Sequence, residues 1–261
     1  NRISLFKNRL APKQVSWLAY CNTSGLDNMD YLIADKNLIQ KAEENDYSEK
    51  IIYLPNIWNC HSGLSRERSE SDTPCLNEKS ITFGSFNNFN KINDRVIFVW
   101  SKILQKVKNS KLILKSSLKM NRNYLKKEFE KKGVIDSIIF LEKRKLESHY
   151  NLYKKIDIAL DTFPWNGVTT TFEAISMGVP VLTMKGYNFN SRCGESIIKN
   201  LGMEDLIAKN EEDYILKAQN MASDQEKLSK MRKKIFSTSY QTPLFNTKKF
   251  SQDFFSILEK I

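Results

Sequence analysis

The sequence predicts an α/β protein built on a doubly wound, parallel sheet with helices on both faces. Three observations carry this expectation. From Ile81 onward, short apolar runs alternate with amphipathic stretches at the spacing of strand–helix–strand units. The runs are continuously apolar, as strands covered on both faces are. Gly178 and Pro180 stop one helical stretch just before the next apolar run.

The elements follow in order. Residues 14–20 (QVSWLAY) and 31–35 (YLIAD) read as short buried strands, with the turn-rich CNTSGLDN between them. A third strand is expected at 51–54 (IIYL), ended by Pro55. Residues 63–80 are polar and Ser-rich, and predict a linker. The alternating part begins with strand 81–86 (ITFGSF) and a helix over 94–107, whose Val96, Trp100, Ile103 and Val107 recur at helical spacing. Strand 111–115, helix 121–132, strand 137–141, helix 145–154 and strand 156–161 come next. Helix 169–177 leads to strand 179–184, and helices over 191–200, 211–221, 223–235 and 247–260 complete the chain. In the last, Phe250, Phe254, Ile257 and Ile261 form one apolar stripe behind an Asn246/Thr247 cap. That helix either returns to the first part of the chain or covers the core.

Composition bounds the function classes. The 261 residues suffice for one large domain, or one domain plus part of another. With 41% hydrophobic and 27% charged residues, the balance is that of an ordinary globular protein. No apolar run approaches the roughly 18–20 residues that cross a bilayer, so no membrane span is expected. No signal peptide is visible. The chain begins with Asn1 and not Met, which predicts a piece of a longer protein. Cys21, Cys60, Cys75 and Cys193, with His61 and His149, show no ligand spacing, so no metal is expected. Scattered cysteines suit a reducing cytoplasm. The net charge of +11 admits nucleic acid, an anionic surface or phosphate-bearing ligands. The lysines fall on polar helix faces, as at Lys126, Lys127, Lys131 and Lys132, without interleaved aromatics, so nucleic acid is not an expected partner.

Ligands of doubly wound sheets bind where strands end, so the residues after each strand are the candidates. Lys91 lies in the loop after strand 81–86, where an ammonium can meet a phosphate or simply face water. After Asp161 come a proline turn, Asn166-Gly167 and then Thr169-Thr170-Thr171 opening a helix. Hydroxyls and unpaired N–H groups at a helix start can hold an anion, although one threonine can equally serve as a plain cap. Glu173, one turn later, can accept from ribose hydroxyls or complement the helix dipole. His149 can support the fold or stack on a base. No Walker A motif and no G-x-G-x-x-G occurs, which argues against an ATPase or a dinucleotide dehydrogenase.

Several segments together resemble a known family. ITFGSFNNFNKI (81–92), HYNLYKKIDIALDTFPWNGVTTTFEAISMGVPVLTMKG (149–186), SRCGESIIKNLGM (191–203) and TPLFNTKKF (242–250) look like the catalytic region of the O-GlcNAc transferase and SPINDLY family, glycosyltransferase family 41. The stretch APKQVSWLAYCNTSGLDNMDYLIAD (11–35) is similar to the end of that family's N-terminal catalytic lobe. The resemblance implies a GT-B fold, two Rossmann-like lobes around a cleft. Residues 1–62 would be the remnant of the N-terminal lobe, 63–80 a linker, 81–245 the nucleotide-sugar-binding C-terminal lobe and 246–261 a C-terminal helix. It implies transfer of a sugar from a nucleotide donor, UDP-GlcNAc or in SPINDLY-type members GDP-fucose, to Ser or Thr of a protein acceptor, without a metal. Tetratricopeptide repeats usually precede this region. Position by position, Lys91 matches the lysine on the donor diphosphate that supports the leaving group. Asn88 matches a phosphate-region amide, and Thr169 and Thr170 match the residues holding the diphosphate. His149 matches the histidine on the base, Glu173 the ribose contact and Arg144 the backbone reading the base edge. Departures bear on the donor. Val168 stands where animal enzymes carry a histidine, and Leu146 where they carry a lysine. Tyr20-Cys21-Asn22-Thr23 replaces a Gly/Pro-rich turn, and the acceptor-side histidine of the N-terminal lobe has no counterpart. A nucleotide-sugar-binding module inactive without the rest of that lobe is the alternative expectation.

Overall fold

The computed structural model describes residues 3–18, 20–63, 68–115, 119–141 and 146–261; Arg144 lies outside the described residues. The strands and helices, in chain order, are β1 (Val15–Ser16), β2 (Tyr31–Asp35), β3 (Lys50–Leu54), α1 (Pro74–Glu78), β4 (Thr82–Ser85), α2 (Asp94–Lys106), β5 (Lys111–Lys115), α3 (Lys119–Lys131), β6 (Ile138–Leu141), α4 (Leu146–Tyr153), β7 (Ile158–Leu160), α5 (Thr169–Ser176), β8 (Val181–Met184), α6 (Phe189–Leu201), β9 (Ile207–Ala208), α7 (Glu211–Ser223), α8 (Gln225–Thr238) and α9 (Thr247–Leu258). Two parallel sheets result, a small one in the order β1-β2-β3 and a large one in the order β6-β5-β4-β7-β8-β9. The large sheet is doubly wound, and its order reverses between β4 and β7. Among the described residues, no helix is long and apolar enough to cross a membrane.

The apolar runs do what their composition requires. Leu112 and Leu114 of β5, Ile158 and Leu160 of β7 and Leu182 of β8 are buried, packed with Trp100 and Ile103 of α2. Helix starts are set by local chemistry. Asn93, Asn210 and Asn246 each accept the N–H three residues on, at 3.0, 2.8 and 3.0 Å. Asn188 and Ser191 form a capping box that starts α6 two residues earlier than the periodicity predicts.

Three elements differ from the sequence reading. The strand expected over 14–20 shrinks to two residues because Leu18 takes a left-handed φ of 66° and Trp17 turns its indole N–H to the Trp58 carbonyl at 2.8 Å. The polar stretch 63–80 carries α1, which is anchored: the buried Asp157 carboxylate accepts the Cys75 N–H at 2.9 Å and the Thr82 N–H at 2.8 Å. Part of the expected linker is therefore packed structure. Strand β9 is too short to leave a periodic signal.

The two sheets are held together by polar contacts, one of them partly and one fully buried. Arg192 of α6 grips Glu43 with two N–H···O bonds of 2.5 and 2.7 Å, and Ser196 donates to Asp35 at 2.6 Å. The apolar stripe of α9 crosses to the small-sheet side, where Phe254 packs on Trp17 at 4.5 Å between ring centroids. Of the two placements open to this helix, it takes the return to the first part of the chain, while Phe250 also touches the core.

Candidate functional site

The reversal of strand order between β4 and β7 opens a crevice at their carboxyl ends, and the loops after these strands meet there. Asp161 ends β7 and organises the meeting point. Its Oδ1 accepts the backbone N–H groups of Gly167 at 2.6 Å and Thr162 at 2.9 Å, and the Asn87 amide at 3.4 Å. Its Oδ2 accepts the Thr183 hydroxyl at 2.8 Å. The carboxyl is fully buried, and desolvation raises its pKa to about 6 despite these donors. Asn87 then passes the arrangement to α5, because its Oδ1 accepts the Thr170 hydroxyl at 2.9 Å. Gly167 has to be glycine for closeness and not for φ: a Cβ there would lie 2.6 Å from Thr170 Oγ1 and 2.8 Å from Asn87 Oδ1.

Lys91 closes the opposite wall. A single 3-10 turn, Phe89–Lys91, carries it off the end of β4. Its ammonium donates to the Asn166 carbonyl at 2.7 Å and sits 5.1 Å from the centre of the exposed Trp165 ring. Burial lowers its pKa, and the field of Asp161 opposes that shift. Asn166 is itself pinned, since its amide donates to the Thr162 carbonyl at 2.9 Å and its Oδ1 accepts the Gly194 N–H at 3.1 Å. One cation is thereby held at the mouth of α5.

The threonines of α5 are not plain caps. Val168 is the cap residue and offers no side-chain bond. Thr169 is exposed, Thr170 is half-buried and Thr171 is buried. A helix start whose hydroxyls are not used in capping, with an ammonium beside it, can receive a doubly charged anion.

His149 and Glu173 belong to a second chain of contacts behind the first turn of α5. The Lys115 ammonium meets His149 Nδ1, His149 Nε2 lies 2.9 Å from Glu173 Oε2, and the Tyr153 hydroxyl donates to the same oxygen at 2.9 Å. Lysine can only donate, so Nδ1 accepts and the Nε2–H points at Glu173. Tyr153 also reaches the Thr170 carbonyl at 3.2 Å, which couples this chain to the helix mouth. Phe86 packs against His149 and Tyr153, with centroids 5.9 and 4.8 Å away.

Of the residues singled out in the sequence, Lys91, Thr170, His149 and Glu173 converge around the start of α5, with Thr169 at its exposed edge. Asn88 does not join them. It is exposed and its side chain accepts the Asn90 N–H at 3.0 Å, while its neighbour Asn87 points inward. Sequence reasoning missed Asn87, Lys115, Tyr153 and Gly194. Lys115 alone left a signal, a charge at the end of the apolar strand KLILK.

With this geometry in view, comparison with known proteins gives the affiliation. The family model described as "Glycosyl transferase family 41" matches residues 1–62 and 68–254. The chain belongs to glycosyltransferase family 41. Similar curated relatives of the family include a probable UDP-N-acetylglucosamine–peptide N-acetylglucosaminyltransferase SPINDLY of Eustoma exaltatum subsp. russellianum, 37% identical over 97% of this chain. The protein of the same name from Solanum lycopersicum is 35% identical over 98% of it. The chain spans 28% of the length of each of these relatives. A mutant O-GlcNAc transferase of Thermobaculum terrenum superposes with a TM-score of 0.87 at 27% identity, over 97% of this chain and 48% of that one. The two parallel sheets are those of a GT-B glycosyltransferase: the large sheet is the C-terminal Rossmann-like lobe, and β1–β3 belong to the other.

Proposed function

We propose that this chain is the donor-binding part of a protein O-glycosyltransferase that carries out inverting transfer of a sugar, GlcNAc from UDP-GlcNAc, to Ser or Thr hydroxyls. The observation that carries the reading is the Lys91 ammonium, tied at 2.7 Å to the carbonyl of Asn166, the residue before Gly167, which lies so close to the Thr170 hydroxyl at the start of α5 that a Cβ there would be 2.6 Å from it. An acceptor hydroxyl attacks the anomeric carbon in line, the bond to the donor diphosphate breaks, and charge accumulates on the departing diphosphate. Lys91, the exposed Thr169 hydroxyl and the first N–H groups of α5 meet that charge, and the Thr170 O–H joins them by turning away from Asn87, in the role a metal ion plays elsewhere. The His149–Glu173 pair faces the nucleoside, with the histidine ring packing on the base and the carboxylate near the ribose.

The names of the relatives, which specify a UDP-N-acetylglucosamine donor and a peptide acceptor, support this donor and acceptor. Val168 favours a second reading, a guanosine-linked fucose donor, because it stands where animal enzymes of the family carry histidine.

The test uses the full-length protein that contains this chain. Lys91→Met is expected to lower turnover by about 10²–10³-fold, or roughly 3–4 kcal/mol of transition-state stabilisation, with an unchanged circular dichroism spectrum. Near-normal turnover contradicts the assigned role. A higher rate with GDP-fucose than with UDP-GlcNAc selects the second reading.

A further inference from the structure

Lys115 is a buried ammonium that the proposed chemistry does not use. It closes β5 at the carboxyl edge of the large sheet, next to the end of β4, where ligands of such sheets bind. Burying an ammonium costs free energy, and a leucine would continue the strand KLIL without that cost. The ammonium meets His149 Nδ1, and His149 Nε2 lies 2.9 Å from Glu173 Oε2. We propose that Lys115 is a positioning residue for nucleoside binding: it fixes the His149 ring, and through that ring the Glu173 carboxylate, and acts on the donor only through them. The proposal rests on the reading of His149 and Glu173 as the base and ribose contacts.

The geometry restricts the ring at both nitrogens. An ammonium donates and cannot accept, so Nδ1 is unprotonated and the ring proton sits on Nε2, facing the carboxylate. With a partner at each nitrogen, the imidazole cannot turn over without breaking both contacts. His149 and Tyr153 stand four residues apart on one face of α4, and both donate to Oε2 of Glu173, at 2.9 Å each. Among the described residues, that leaves Oε1 to receive a ribose hydroxyl. The His149 and Glu173 side chains are only 12% and 10% exposed, so little water competes for these contacts. Without the Lys115 donor, Nδ1 becomes a nearly buried acceptor that has lost its partner. The ring then gains two alternatives, turning over or carrying its proton on Nδ1, and either one takes the Nε2–H away from Glu173. A lysine acting by charge alone would instead weaken every phosphate ligand, with or without a base.

The experiment begins with the wild-type chain carrying isotopically labelled histidine, at about pH 7. His61 and His149 are its only histidines, and His61 is an internal reference, since its Nδ1 accepts the Gly63 N–H at 3.0 Å. Proton–nitrogen correlation spectra should show His149 with its proton on Nε2 and a hydrogen-bonded Nδ1. An Nδ1–H form or a doubly protonated ring overturns the proposal, whatever any variant does. Lys115→Met should move the His149 nitrogens and leave those of His61 in place; an unmoved His149 overturns it. Calorimetric titration then compares UDP, GDP and inorganic pyrophosphate. Lys115→Met should bind the nucleotide preferred by the wild type roughly five- to tenfold more weakly, the equivalent of one hydrogen bond, with pyrophosphate unchanged. In a His149→Ala background the same substitution should cost nothing further. Equal weakening of nucleotide and pyrophosphate, or a further loss in the His149→Ala background, overturns the positioning role. If the wild type binds neither nucleotide, the donor-site reading fails and the nucleoside role with it, while the nitrogen spectra still decide whether Lys115 holds His149.

Discussion

Asp161 accepts four donors from three segments of chain, and at residue scale it makes the site rigid. Its protonation has a definite sign. The folded carboxyl titrates near 6 and the unfolded one near 3.8, so the stability it adds is complete below the lower value and is lost as pH rises through the upper one. Urea unfolding of the wild type at a series of pH values should show stability falling between about pH 4 and 6, and Asp161→Asn should flatten that slope. A slope unchanged in the variant refutes the assignment. Gly194 offers a sharper packing test. A Cβ there would sit 2.1 Å from Thr183 Oγ1 and 2.7 Å from Asp161 Oδ2, inside contacts that cannot yield without breaking the Thr183–Asp161 bond. Gly194→Ala should destabilise the chain by about 1–3 kcal/mol and lower its melting temperature by several degrees, as calorimetry would record. These residues also show how far the site was legible in advance. Lys91 could be picked out because it follows a strand, Thr170 and Glu173 because they lie in the first turns of a helix after a strand, and His149 through the family resemblance. Asn87 could not be told from Asn88, since which of two adjacent asparagines turns inward depends on the 3-10 turn that follows them. Tyr153 meets Glu173, and Lys115 meets His149, only through the packing of α4 and β5 behind α5, and of the two only Lys115, a charge closing an apolar strand, left a local trace.

At the scale of elements, legibility followed burial. The strands of the large sheet were readable because both faces are covered and their apolar runs are unbroken, and α2 because its buried face repeats at helical spacing. β9 was too short, and β1 is cut by the left-handed Leu18, whose φ nothing in the apolar run QVSWLAY announces. The cap residues were partly readable, and Asn246 shows what they contribute. Its side chain accepts the Lys249 N–H at 3.0 Å and sets the direction in which α9 leaves the large lobe. Asn246→Ala should cost about 1 kcal/mol. Phe254→Ala removes the ring that packs on Trp17 and should cost about 1–2 kcal/mol, since the side chain is only half-buried. Hydrogen exchange supplies the check: amides of α9 should lose protection in both variants while those of β5 and β7 keep theirs. Equal loss in α9 and in the large sheet would mean that the helix is no separate unit.

Over the whole molecule, the lobe boundary is bridged by side chains and not by the 63–80 segment alone. Arg192 joins Glu43, Ser196 joins Asp35, and burial raises the Asp35 carboxyl, which makes that bond sensitive to its donor. Arg192→Met leaves the half-buried Glu43 without its guanidinium and should cost about 1–2 kcal/mol, with the unfolding transition broadening as the small sheet melts first. A single sharp transition at the wild-type midpoint contradicts this. Gly194, in the same helix as Arg192 and Ser196, holds the side chain of Asn166, whose carbonyl receives the Lys91 ammonium, so α6 links this boundary to the proposed chemistry. The most direct test is calorimetric titration of UDP and GDP into this chain, wild type and Lys91→Met. The wild type should bind a nucleoside diphosphate with an affinity that falls as salt is raised, and Lys91→Met should bind it at least tenfold more weakly, about 1.4 kcal/mol. Absence of binding to either nucleotide, or equal affinity in the variant, would contradict a diphosphate site at the junction of β4, β7 and α5.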